Sequence, residues 1–195
     1  MRIILIIFVL FVSIPVKAKI LKQNITAKTV LIADESNNLQ ILIDYSRGCK
    51  ISQVNIRGKN TISSSGVFTS VKTGTGVFTS FESSKPVKIT TRKNKLELGH
   101  IVFGDKKMEV EETWIFTTAG EQITWEIRRQ YLQNGELDDM AMPVWNFLDL
   151  STWKGGILNT GGVVWCKYLK DKNDTYGVHT DGVTFWEPDS GDGLR

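Results

Sequence analysis

Two runs near the middle of the chain, residues 108–116 and 123–131, return an apolar side chain at every second position, and this constrains the fold more than any other feature. In the first run Met108, Val110, Glu112, Trp114 and Phe116 share one face, and Glu109, Glu111, Thr113 and Ile115 share the other. In the second, Ile123, Trp125, Ile127, Arg129 and Tyr131 lie against Thr124, Glu126, Arg128 and Gln130. A period of two marks an extended strand with one greasy side. Turning the chain about Ala119 and Gly120 sets Trp114 opposite Trp125 and Phe116 opposite Ile123, a match that a one-residue slip would destroy. The same register puts Glu112 diagonal to Arg129. Opposite charges on otherwise apolar faces predict an ion pair, because an unpaired buried charge is costly.

The same pattern extends along the chain. Residues 29–33 and 39–45 flank the turn-forming cluster 34–38, and residues 87–91 and 96–103 flank 92–95, with a further turn at 104–106. Strands are also expected within 156–169 and 176–186, where the glycine pairs at 155–156 and 161–162 suggest bends or bulges. The near-repeat SGVFTS at 65–70 and TGVFTS at 75–80 has too few copies and too short a period for a solenoid, and reads as two similar strands or a polar hairpin. Beyond residue 18 no segment has helical periodicity. Many short strands with frequent turns predict an all-β, antiparallel sandwich.

The ends suggest export and a longer parent. Arg2, the apolar run 3–12 and the small residues around Ala18 have the form of a secretory signal peptide. The run falls short of the roughly 20 residues that span a bilayer, which favours cleavage after residue 18 over an uncleaved anchor. One β-sandwich domain is therefore expected over 19–195, in the periplasm or outside the cell. The turn-rich 189–195 stretch stops as another strand would begin, so the domain is expected to be incomplete at its C-terminus and to lead a longer protein.

Charge excludes little but is informative. Without Arg2 and Lys17 the chain has 22 basic against 21 acidic residues, a net +1, and no basic stripe that would point to nucleic acid. Cys49 and Cys166 are either a disulfide in an oxidising compartment or two separate buried thiols. The sequons at Asn24 and Asn173 matter only in a glycosylating host.

All six tryptophans fall between residues 114 and 186. Trp114 and Trp125 belong to core faces of the hairpin, where large aromatics dominate packing. Trp145, Trp153 and Trp186 stand beside polar residues and are the candidates for stacking on sugar rings. Adjacent carboxylates at Asp138 and Asp139 would point to opposite sides of a strand, so they decorate a turn more readily than they form the paired acids of a glycosidase. His100 shares an alternating face with Leu96 and Leu98 and reads as a packed structural histidine. His179 and Asp181 match no closed metal site, and residues 187–193 resemble a calcium loop in composition only. No metal or cofactor is expected.

The progression ITWEIRRQY at 123–131, MPVWNF at 142–147, WKGG at 153–156 and GGVVW at 161–165 resembles the N-terminal β-sandwich of bacterial polysaccharide-degrading enzymes such as glycoside hydrolases, which has the galactose-mutarotase-like, or supersandwich, topology. The resemblance implies a carbohydrate partner and a helical catalytic domain further along the chain. It assigns no catalytic residue here. Two other readings stand beside it: an independent carbohydrate-active enzyme of epimerase or lyase type, which needs a histidine or tyrosine beside a carboxylate in a cleft, and a structural envelope or adhesion domain without a ligand.

Overall fold

The computed structural model describes residues 22–148, and beyond them the strand backbones at 155–160, 163–168, 182–187 and 192–194. Every regular element among them is a strand. The chain begins as a meander of β1 (Lys22–Asn24), β2 (Thr29–Ala33), β3 (Leu39–Asp44) and β4 (Lys50–Ile56), with the short β5 (Lys59–Asn60) folding back on β4. The long β6 (Ile62–Thr73) follows and pairs with β7 (Gly76–Thr79). Four further strands, β8 (Lys88–Arg92), β9 (Lys95–Gly104), β10 (Glu109–Ala119) and β11 (Gln122–Tyr131), make a second sheet in the order β11-β10-β9-β8. The chain then returns to the first sheet as β12 (Asp139–Phe147), antiparallel to β6 at its edge. A third antiparallel sheet is built from β13 (Gly155–Thr160), β14 (Val163–Tyr168), β15 (Gly182–Glu187) and β16 (Asp192–Leu194). The expected leader, residues 1–18, lies outside the described residues.

The first two sheets share one core, and this makes the fold the expected antiparallel β-sandwich. Val30, Ile32, Ile41, Ile43, Ile51 and Val67 come from the first sheet and meet Leu96, Leu98, Ile101, Val110, Trp114 and Phe116 from the second. Burying each such side chain contributes on the order of 1.5–3 kcal/mol before the cost of ordering it. The alternation that predicted the strands is the alternation of burial: in β10 the core face is Val110, Glu112, Trp114, Phe116 and Thr118.

Two details of register differ from expectation. In the β10–β11 hairpin Trp114 faces Ile127 and Phe116 faces Trp125, with Ala119 opposite Gln122, so the loop is Gly120–Glu121. Gly120 has φ 59°, the positive value that the first central residue of a type II′ hairpin turn needs and that alanine resists. The shift is two residues and so leaves every side chain on its predicted face. It brings Glu112 directly opposite Arg129 rather than diagonal to it.

The second difference concerns His100. Between Leu98, which faces Trp114, and Ile101, which faces Glu112, β9 carries two residues against the single Thr113, a β-bulge. His100 has φ 61° there, in a region that histidine tolerates better than most residues. The extra residue turns the strand over, so Ile101 takes the core position and the His100 side chain is 43% exposed, 3.5 Å from Glu111. The packed structural histidine expected from the alternation is therefore replaced by a surface histidine–carboxylate pair.

The near-repeat is a hairpin: Ser70 faces Thr79 and Thr73 faces Gly76. Its tip is fastened to the β9–β10 turn by Asp105, whose carboxylate accepts hydrogen bonds from the hydroxyls of Thr73, at 2.8 Å, and Thr75.

Candidate functional site

The predicted ion pair is the polar centre of the sandwich. Glu112 is fully buried and the Arg129 side chain is 3% exposed. One Glu112 oxygen accepts from Arg129 Nε at 2.6 Å, and the other accepts from Trp114 Nε1 at 2.8 Å and from Thr69 Oγ1 at 2.7 Å. Arg129 also donates to the carbonyls of Ser70 and Ala141 across the sandwich, at 3.4 and 3.5 Å, and its guanidinium lies over the Phe103 ring. The group thus joins β6 and β12 of one sheet to β10 and β11 of the other. It is closed to solvent and structural.

An aromatic ladder runs from this centre towards the β11–β12 margin. Trp125 contacts Trp114 edge-on at 4.7 Å between centroids and stacks on Phe116 at 5.5 Å. Trp145 meets Trp125 edge-on at 6.5 Å and stacks on Phe147 at 5.7 Å. Of the three sugar-stacking candidates, Trp145 is therefore a partly buried, inward-directed ring at the margin of the core. Trp153 lies outside the described residues. Trp186 stands in β15 with Gly155 and Gly193 as cross-strand partners, and its side chain is outside the description. The structure does not bring the three together into one described site. Asp138 and Asp139 are exposed where the chain enters β12.

Cys49 is a buried free thiol immediately before β4. Burial, with the Glu112 and Asp44 carboxylates adding to it, pushes its pKa well above the usual thiol value. The side chain of Cys166 lies outside the described residues.

Among the described residues a concavity lies at one end of the sandwich. It is a cleft of about 510 Å³ between the segments 45–48 and 82–87, with Lys28 on its rim. Its volume is within the range of small-molecule sites. The two segments are held together by backbone bonds from Cys49 N–H to Ser80 O at 2.6 Å and from Ser83 N–H to Arg47 O at 3.0 Å. Gly48 makes that approach possible, since a Cβ there would stand 2.4 Å from the Phe81 carbonyl carbon and from Ser80 O. Ser83 Oγ accepts from Val102 N–H at 2.9 Å and donates to Lys85 O at 2.7 Å, pinning the second segment to β9. Tyr45 N–H donates to Lys28 O at 2.9 Å, and Gln23 donates to the Tyr45 hydroxyl at 3.0 Å. The cleft is thus formed from anchored backbone, and Lys28, Arg47, Glu82 and Lys85 project around it as exposed side chains.

No sequence motif marks these residues. Lys28, Arg47 and Lys85 are far apart in the chain and fall in three different turns, so only the sheet pairing collects them. His100 and Glu111, the described histidine–carboxylate pair, border neither this cleft nor the smaller one beside it. Among the described residues no group of three or more metal-ligating side chains comes together, and no helix is long and apolar enough to cross a membrane. Comparison of the chain with protein-family models, with curated proteins and with solved structures finds no match.

Proposed function

We propose that the chain is a carbohydrate-contacting, non-catalytic β-sandwich module of an exported polysaccharide-degrading protein, and that sugar sits in the cleft between 45–48 and 82–87. The observation that carries this reading is the cleft itself. It is of ligand size, its backbone is pinned by hydrogen bonds, and its rim offers hydroxyl, cationic and carboxylate groups that can pair with sugar hydroxyls. A pinned site loses little entropy when a ligand binds. The resemblance of residues 123–165 to the leading sandwich of polysaccharide-degrading enzymes supports the same substrate class. Trp145, half-buried at the β11–β12 margin, is a second surface that the reading offers.

Affinity electrophoresis against a panel of plant, algal and host polysaccharides tests the proposal. Retardation on at least one polymer is expected, and it should disappear when the exposed Ser46 on the cleft wall is replaced by tryptophan to fill the space. Retardation that survives Ser46→Trp but falls in Trp145→Phe moves the contact to the margin and overturns the cleft assignment. A well-folded sample retarded by no polymer overturns the carbohydrate reading.

A further inference from the structure

We propose that the cleft selects sugars that carry an anionic substituent, a carboxylate or a sulfate. This rests on the reading that the cleft holds sugar. Three cations reach it from separate parts of the chain: Lys28 before β2, Arg47 after β3 and Lys85 before β8. Against them the cleft has one carboxylate, Glu82. Among the described residues none of the three cations has an ion-pair partner. Other exposed cations among the described residues, such as Lys88 and Lys106, are also without an ion pair; Lys28, Arg47 and Lys85 are set apart by converging on one concavity.

The backbone that carries the three cations is anchored, with the Lys85 carbonyl accepting from Ser83 Oγ at 2.7 Å. Lys28 holds φ 50°, a left-handed conformation that non-glycine residues seldom adopt, and the Tyr45 N–H bond to its carbonyl ties its backbone to the cleft wall. Arg47 is the residue whose carbonyl accepts the Ser83 bond joining the two walls. The adjoining cleft, about 240 Å³, shares Arg47 and adds Lys50; its second carboxylate, Asp44, already accepts from Ser46 N–H at 2.9 Å. Across the two clefts four cations, Lys28, Arg47, Lys50 and Lys85, stand against two carboxylates, Glu82 and Asp44.

Cations gathered around a concave surface focus potential and attract anions. The planar guanidinium of Arg47 matches a carboxylate or sulfate with two parallel donors, and the two lysines add point charge without directional demand. Glu82 supplies an acceptor for sugar hydroxyls and disfavours a ligand that is charge alone. A monoanionic sugar residue flanked by hydroxyls fits this set better than a neutral one.

Four polymers test the proposal by affinity electrophoresis and calorimetry on the full chain: a polyuronate, its methyl ester, a sulfated galactan and its desulfated form. Polyglutamate serves as a polyanion without sugar. The expected result is that at least one charged polysaccharide binds about tenfold or more tightly than its neutralised counterpart. The carboxylate and sulfate arms identify which anion is taken. Arg47→Ala with Lys85→Ala should erase the difference, as should Lys28→Gly, which removes charge where glycine is at ease; circular dichroism checks that these surface variants fold. Binding of neutral and charged forms with equal affinity, still abolished by Ser46→Trp, overturns anion selection while leaving a sugar cleft. No binding to any polysaccharide overturns both. Charged binding that ignores the three substitutions, or is matched by polyglutamate, places the attraction elsewhere and overturns the proposal.

Discussion

At the scale of single residues, the buried Glu112–Arg129 pair is where a small change should cost most. Each partner is inaccessible and each uses several hydrogen bonds, so removing one leaves the other charged and unpaired in the core. Glu112→Gln or Arg129→Met is expected to lower unfolding free energy by about 3–5 kcal/mol, read as a fall in the urea midpoint without a change in slope. The double variant Glu112→Leu, Arg129→Met should lose less than the sum of the two, since neither charge is then stranded. A single variant with an unchanged midpoint would show that water reaches the pair. Its partnership was legible in the sequence, because a charge on each of two facing apolar stripes has few other ways to be satisfied. Cys49 gives a second residue-scale expectation. With its thiol buried and its pKa raised by desolvation, it should resist iodoacetamide near pH 8 in reduced, folded protein and react once the chain is unfolded. Rapid alkylation in the folded state would contradict that burial.

Among the elements, the β6–β7 hairpin and the β9–β10 turn are coupled through one carboxylate. Asp105 accepts from the Thr75 hydroxyl, from Thr73, and from the N–H groups of Lys107 and Met108, and these bonds hold its pKa far below the ordinary carboxylate range. Its folded-state pKa is depressed. The stability it contributes is therefore fully present above the unfolded value, near 4, and is lost as pH falls through that value towards the folded one. The difference in urea midpoint between the parent and Asp105→Asn should stay constant above about pH 5 and shrink steadily below pH 4. A difference independent of pH would mean that the hydroxyls do not favour the ionised form. This coupling could not be read from the sequence, nor could the bulge at His100 or the two-residue offset of the β10–β11 hairpin. Alternation reports which face a side chain takes, and a shift of two residues changes no face. The offset goes with the turn that Gly120 permits at φ 59° and with the direct facing of Glu112 and Arg129. Strand existence, by contrast, followed directly from the period-two runs.

For the whole molecule, the cleft and the sheet edges show how far a one-dimensional pattern reaches. A sandwich could be read from 108–131 because each strand carries its own evidence. The cleft could not, since Lys28, Arg47 and Lys85 acquire meaning only when β2, β3 and β8 are brought to the same end of the fold. Edges raise a comparable question of assembly. Among the described residues β11 pairs with β10 alone, so its other backbone edge, ten residues long, is open to a further strand. Its inward residues Ile123, Trp125 and Ile127 are only half-buried, whereas Glu126 and Arg128 stand on the outward face, bridged to each other at 2.7 Å. Charged residues on an edge strand oppose pairing with a second chain. Replacing both with threonine keeps β propensity and removes that obstacle, so Glu126→Thr with Arg128→Thr is expected to raise the mean mass with protein concentration in light scattering, while the parent rises less. An unchanged mass across the concentration series would show instead that another part of the chain already covers the β11 edge.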